Sequence, residues 1–237
     1  MPTTPQQGKR KKAKGKRKIG KGRLVLFPFA FFLLPCLGCP PRIDERARAY
    51  TEDGLDLFQR GDYFNARESF EEALVKQPGD ANLLYNIGQC YDRQGKTDRA
   101  EEYYRRCLGQ SGNHANCRHA FAVLLRQTSR QHDADQMVQD WLAAEPELPD
   151  AYVEDGWRRR QAGDVDGALK RYQQALHLNP HHVRALIELG MLYESWQLSE
   201  RALVLYEKAL AEDPKQPGLV EQIHALHLKG VRRPRPD

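Results

Sequence analysis

Residues 149–182 read PDAYVEDGWRRRQAGDVDGALKRYQQALHLNPHH, and residues 183–216 read VRALIELGMLYESWQLSERALVLYEKALAEDPKQ. These two blocks of 34 residues align without a gap. The eighth slot holds Gly156 and Gly190, and the twentieth holds Ala168 and Ala202. Tyr172 and Tyr206 share the twenty-fourth slot, Ala175 and Ala209 the twenty-seventh, and Pro180 and Pro214 the thirty-second. A repeat of this length, with small residues and one large ring at fixed slots, decides the fold, because self-similarity at a fixed period marks a stacked-unit architecture.

Working outward, the same frame runs back through the chain, with units starting at 47, 81, 115, 149 and 183. Pro78 and Pro146 keep the proline register, and Gly112 stands at the missing member, as another helix stopper. The eighth slot reads Gly54, Gly88, Ala122, Gly156 and Gly190, and the twentieth is Ala66, Ala100, Ala134, Ala168 and Ala202. Slot 24 is Phe70, Tyr104, Val138, Tyr172 and Tyr206, and slot 27 is Ala73, Cys107, Trp141, Ala175 and Ala209. The fifteenth slot, between two runs of helical periodicity, is Gly61, Gly95, Ser129, Gly163 and Gln197.

The physical reading is a pair of helices per unit. A small residue at slot eight lets two backbones approach, and Gly190 and Ala202 are expected to face each other across the fifth hairpin. Gly at the inner turn tolerates the left-handed conformation that ends a helix, and proline at the outer turn cannot continue one. A single hairpin cannot bury its apolar face, so stacking on the next completes the core. The third unit is the weakest, with Trp141 in a small slot and no Gly at its inner turn, so a distorted layer is expected there. Arg159 takes a slot that is large and apolar elsewhere. Past 216, Leu219, Val220, Ile223 and Leu226 recur at helical spacing and predict a capping helix over 217–229, followed by a disordered tail over 230–237.

This frame resembles the tetratricopeptide repeat (TPR), whose period is 34 residues. The resemblance covers 47–216, as units 47–80, 81–114, 115–148, 149–182 and 183–216. It implies an all-α, right-handed superhelical solenoid of five tandem helix-turn-helix hairpins plus a C-terminal capping helix. It also implies a concave groove lined by the first helix of each unit. Carried onto this chain, the lining slots give Asn82, Tyr85, Gln89, Asp92 and Arg93, then Asn116, His119, Val123, Arg126 and Gln127. The fourth unit gives Asp150, Val153, Trp157, Arg160 and Gln161, and the fifth opens with Arg184 and Ile187. A protein or peptide ligand in this groove is the implied partner. Trp157 is the best single anchor, aromatic and Arg side chains being favoured at binding hot spots. One subgroup of the family binds the carboxylate ends of chaperone tails, but its slots in the first unit are Thr51 and Leu55, so that clamp is absent.

The chain has 237 residues, 40% hydrophobic and 29% charged, with a formal net charge of +5. All ten basic residues from Lys9 to Arg23 fall in a stretch with no acid, which leaves 27 basic against 32 acidic side chains in the remainder. The positive charge therefore belongs to residues 1–23, a basic disordered leader, and no nucleic acid is expected on the body. Leu24–Gly38 is apolar and uncharged, broken by Pro28 and Pro35. A spanning helix needs about 20 apolar residues, so this segment fits the h-region of an export signal. Its end, Cys36-Leu37-Gly38-Cys39, resembles the bacterial lipoprotein signal, which implies lipidation at Cys39 and a tether over 39–46. Cys36 stands where that family has Leu, and the basic stretch is longer than usual. An uncleaved signal anchor, or a nuclear or nucleic-acid-binding tail, are the other readings of this region.

No residue set suggests catalysis. GxSxG, HExxH, P-loop and GxGxxG are absent from the sequence. Of five cysteines, Cys36 and Cys39 form the lone CxxC, and Cys90, Cys107 and Cys117 lie in helical segments. Cys107 reads as a packing residue, and whether it pairs with Cys117 depends on geometry that sequence does not give. His181-His182 reads as a solvated turn, and His224 with His227 lacks a third metal ligand. Carboxylate pairs such as Glu68 and Glu72 read as solvated faces. The expectation is a non-catalytic interaction scaffold with no cofactor and no metal. It would be exported, membrane-anchored through its N-terminal segment and facing the periplasm of a bacterial envelope. The alternative is a cytoplasmic or nuclear binding module whose basic tail holds nucleic acid or anionic lipid.

Overall fold

The computed structural model describes residues 45–216 and 218–233. The basic leader, the apolar segment, Cys39 and the tether up to residue 44 lie outside the described residues, as do residues 234–237. Eleven α-helices and no strand occur among the described residues. Five hairpins follow one another: α1 (Glu45–Gln59) with α2 (Tyr63–Lys76), α3 (Ala81–Arg93) with α4 (Thr97–Gln110), α5 (Ala115–Gln127) with α6 (Gln131–Ala144), α7 (Pro149–Gln161) with α8 (Val165–Leu178), and α9 (Val183–Ser195) with α10 (Ser199–Glu212). A final helix, α11 (Leu219–Leu228), closes the stack. Each helix packs mainly on its hairpin partner and on the next hairpin, which is the contact pattern of a solenoid.

The inner turns all use the same backbone device. Gly61, Gly95 and Gly163 have φ of 83°, 72° and 81°. Ser129 and Gln197 occupy the same slot with φ of 62° and 61°, although each carries a Cβ. The turn geometry thus prevails over residue preference at two of the five units. At the outer turns, Asp80, His114 and His182 cap the next helix by accepting a backbone N–H: Asp80 from Asn82 and Leu83, His114 from Cys117, and His182 from Ala185. Such caps satisfy donors that a helix start leaves unpaired.

Hairpin closure refines one expectation. Gly190 is met most closely by the ring of Tyr206, and a Cβ on Gly190 would lie 2.5 Å from Tyr206 Cε1. The same ring-on-glycine contact joins Gly54 to Phe70, Gly88 to Tyr104 and Gly156 to Tyr172. The large residue at slot 24 therefore fills its own hairpin. The alanines at slot 20 are fully buried beside it. The third hairpin has Ala122 and Val138 at these slots, and its helices touch along a shorter line than in the other four. Trp141 is buried there, with the Arg118 guanidinium over its ring at 4.6 Å. A cleft of about 400 Å³ opens in this layer between Phe121, Leu125 and Met137.

The C-terminal end is closed by Leu219 and Leu226, buried against α10, while Val220 faces solvent rather than the core. Burial of each leucine contributes about 1.5–3 kcal/mol, enough to hold a helix too short to persist alone. The segment read from sequence as a disordered tail begins with Val231 packed on this cluster and Arg233 paired with Glu207. No described helix is long and apolar enough to cross a membrane.

Candidate functional site

The first helices of successive hairpins, α3, α5, α7 and α9, pack side by side, so their exposed faces form one surface. A cleft of about 580 Å³ opens on it, bordered by α3, α5 and α9. Of the groove residues read from sequence, it brings together Tyr85, Gln89, Arg93, His119, Val123 and Arg184. Asp92, Asn116 and Gln127 complete its polar wall, and Ala120 joins Val123 as its apolar floor.

The remaining groove residues lie around it. Trp157 is half-buried and meets His119 edge to face at 4.8 Å, and the Arg126 guanidinium sits 5.8 Å from its ring centre. Arg160 pairs with Glu188 at 3.0 Å and points toward Met191. Asn82 is exposed at the start of α3, with its carbonyl oxygen 3.1 Å from His114 Nε2. Val153, assigned to the groove by its slot, is fully buried in the core. The stacking of α7 on its neighbours turns that slot inward.

Sequence reasoning missed the residue at the centre. Glu154, one position after Val153, is a fully buried acid. Arg184 donates to its Oε2 at 2.9 Å, and His119 Nδ1 lies 3.1 Å from both carboxylate oxygens. Arg184 Nη2 is also 2.9 Å from that ring nitrogen, so α5, α7 and α9 meet at one carboxylate. Burial by itself pushes the Glu154 carboxyl up. The His119 hydrogen bond and the Arg184 charge outweigh it and hold the group below its ordinary value. The only sequence signal was a carboxylate where the preceding unit has Ala120.

A second buried acid stands on the other side of α7. Asp155 accepts from Arg158 at 2.6 Å and from Arg159 at 2.9 Å, and pairs with Arg171 at 2.7 Å. Burial again raises its carboxyl, and the hydrogen bonds from Arg159 and Arg158 more than reverse this. The oddly placed Arg159 thus has a structural partner. Beneath the cleft, Gln89 donates to the Tyr104 hydroxyl at 2.8 Å. Burial raises Asp92, opposed by the neighbouring Arg93 and by Tyr104.

The histidines outside the groove have local partners. His182 lies 3.2 Å from Asp150 while capping α9, and His181 meets Glu212. Among the described residues, no group of three His, Cys, Asp or Glu side chains could hold a metal ion. Cys90, Cys107 and Cys117 are free, buried thiols.

Sequence comparison converges on the same architecture. The tetratricopeptide repeat family model matches residues 51–115 and 154–217, more than half of the chain. The chain is a tetratricopeptide-repeat protein. It is 31% identical over 124 residues to the photosystem I assembly protein Ycf3 of Parasynechococcus marenigrum (strain WH8102), covering 46% of this chain and 72% of that protein. It is 24% identical over 193 residues to the PEX5-related protein of Mus musculus, covering 76% of this chain but only 34% of that one. Among solved structures, a thermophilic TPR protein of Thermus thermophilus superposes with a TM-score of 0.58 at 23% identity, over 77% of this chain and 99% of that one. At that identity the likeness speaks for the fold alone. As a TPR protein, this chain is a protein-interaction scaffold, a class that is in general non-catalytic.

Proposed function

We propose that the groove on α3, α5, α7 and α9 is the working surface of this scaffold, and that it holds an extended segment of another protein. The single observation that carries this reading is the cleft of about 580 Å³, concave and lined by polar side chains over Val123 and Ala120. A few placed polar groups around an apolar floor are what a recognition site needs. Trp157 is the anchor at its edge, stiffened by His119 and Arg126. Similarity to an assembly protein supports an adaptor role, in which one chain is held while others join it.

The cellular setting we propose is export, with Cys39 lipidated and the repeats tethered on the periplasmic side. The apolar run Leu24–Gly38 behind ten basic residues, ending in Gly38-Cys39, supports it. The basic run Lys9–Arg23 also favours a second reading, in which this stretch holds nucleic acid or anionic lipid inside the cell. Acyl labelling separates the two: Cys39→Ser leaves an uncleaved, unlabelled precursor in the first case and changes nothing in the second.

The groove reading is tested by introducing a photo-crosslinking side chain at Val123 or at Gln173 on the exposed face of α8. Crosslinking to one partner from Val123 and not from Gln173 supports the groove. Equal crosslinking from both positions rejects it.

A further inference from the structure

We infer that the segment held in the groove is acidic, with a carboxylate seated on Arg93. This rests on the groove reading above and names the ligand chemistry of that site. The hydrogen-bonding groups of this face divide into those already used from within and those left open.

The cations of the face are mostly neutralised from within. Arg184 is tied to Glu154 at 2.9 Å, and Arg160 to Glu188 at 3.0 Å. Arg126 and Arg158 both lie within 4 Å of Asp135, at 3.9 and 3.8 Å. Arg93 differs. It lines the cleft at the end of α3, and among the described residues it forms no ion pair. Asp92 is its sequence neighbour and feels its charge, but the two make no ion-pair contact among the described residues.

Of the cleft's surroundings, the Glu154 carboxylate is engaged by Arg184 and His119. Other polar side chains of the cleft are left open. Tyr85 lines the cleft with no hydrogen-bond partner for its hydroxyl among the described residues, and burial keeps that phenol protonated. Asn116 and Gln127 line the same cleft, and their amides are likewise uncommitted among the described residues. A guanidinium presents five N–H donors in a fork that fits a carboxylate two to one. The guanidinium of Arg93, without an ion pair and beside the open Tyr85 hydroxyl, favours an anionic, acceptor-bearing ligand over a basic one. The amides of Asn116 and Gln127 suit the main chain of an extended segment, and Arg93 with Tyr85 suits an Asp or Glu side chain on it.

The test uses the full chain and two fluorescein-labelled heptapeptides, Ala-Glu-Ala-Glu-Ala-Glu-Ala and its glutamine counterpart, followed by fluorescence anisotropy at low salt. The glutamate peptide is expected to bind at least tenfold more tightly. Arg93→Gln should remove that difference while leaving helical content unchanged, and Arg93→Lys should restore part of it. Equal binding of the two peptides, no binding of the glutamate peptide up to millimolar concentration, or an undiminished preference in Arg93→Gln each overturns the inference. Val123→Glu separates this from the groove reading. If it abolishes binding of both peptides while they bind equally well to the parent, the groove stands and the acidic ligand falls. If the glutamate preference persists in Val123→Glu, acidic binding lies elsewhere, and both readings fall.

Discussion

The ring of Tyr206 lies on the backbone of Gly190 so closely that no side chain fits between them, and Tyr172 stands in the same relation to Gly156. Replacing either glycine with alanine would place a Cβ about 2.5 Å from an aromatic carbon. Gly156→Ala and Gly190→Ala are therefore expected to lose about 1–3 kcal/mol of stability through overpacking. Gly109 lies in α4 with nothing within 4 Å of the position its Cβ would take. Gly109→Ala should instead gain about 0.5–1 kcal/mol, because glycine is a poor helix former. Urea unfolding of the three variants checks both signs.

Glu154 supplies the second prediction. Removing Glu154 leaves Arg184, which borders the cleft, without its partner, at a cost of about 1–3 kcal/mol. Glu154→Ala should show a loss of this size in urea unfolding, larger than that of Glu72→Ala, whose side chain is exposed on α2.

The pH dependence of the parent follows from the same group. Its carboxyl is held below the ordinary 4.5 in the folded state. Folding stability from this shift is complete above 4.5 and is lost as pH falls through the depressed folded value. Asp155 and Asp150 shift in the same direction and add to the acid loss. Glu154→Gln should flatten the decline in melting temperature below pH 4.5. An unchanged acid profile in that variant would show that the carboxylate is not ionised in the fold.

Trp157→Ala should weaken capture of the groove ligand by about 2 kcal/mol, roughly thirtyfold. Its circular dichroism should match the parent, because the ring is only half-buried. Gln173→Ala, on the outer face of α8, should bind as the parent does. A Trp157→Ala protein that unfolds, or one that binds normally, removes Trp157 from the site.

Ser129 and Gln197 hold left-handed backbone without being glycine. A side chain there costs about 1–2 kcal/mol, of which glycine returns part in unfolded-state entropy. Ser129→Gly and Gln197→Gly should each stabilise the chain by about 0.5–1 kcal/mol in thermal or urea unfolding.

The fold was legible because each unit repeats the same packing problem. A slot filled by Gly or a ring in four units of five, or by Ala in all five, names its role by comparison within the chain. The third unit's looseness was legible for the same reason, from Trp141 in a small slot and Ser129 in place of Gly at the inner turn. The site was legible only as a face. Slot counting put Val153 on the groove, and the stacking of α7 turned it inward. Glu154 was passed over because a charged residue on a helix ordinarily lies in solvent. Its burial depends on two partners brought in by separate units, His119 and Arg184, which are 65 positions apart in the chain. No local pattern records such a meeting.

That meeting has a consequence for how the chain comes apart. In a linear array of repeats, each unit ordinarily feels its immediate neighbours alone, so ends can fray one hairpin at a time. His119 belongs to the third unit and Arg184 to the fifth, and they close on a carboxylate of the fourth. This next-nearest-neighbour link couples three units into one cooperative block. Amides of α5, α7 and α9 should then exchange with deuterium together, in a single opening event. The same amides in Glu154→Ala should separate into independent steps, with α9 the first to open.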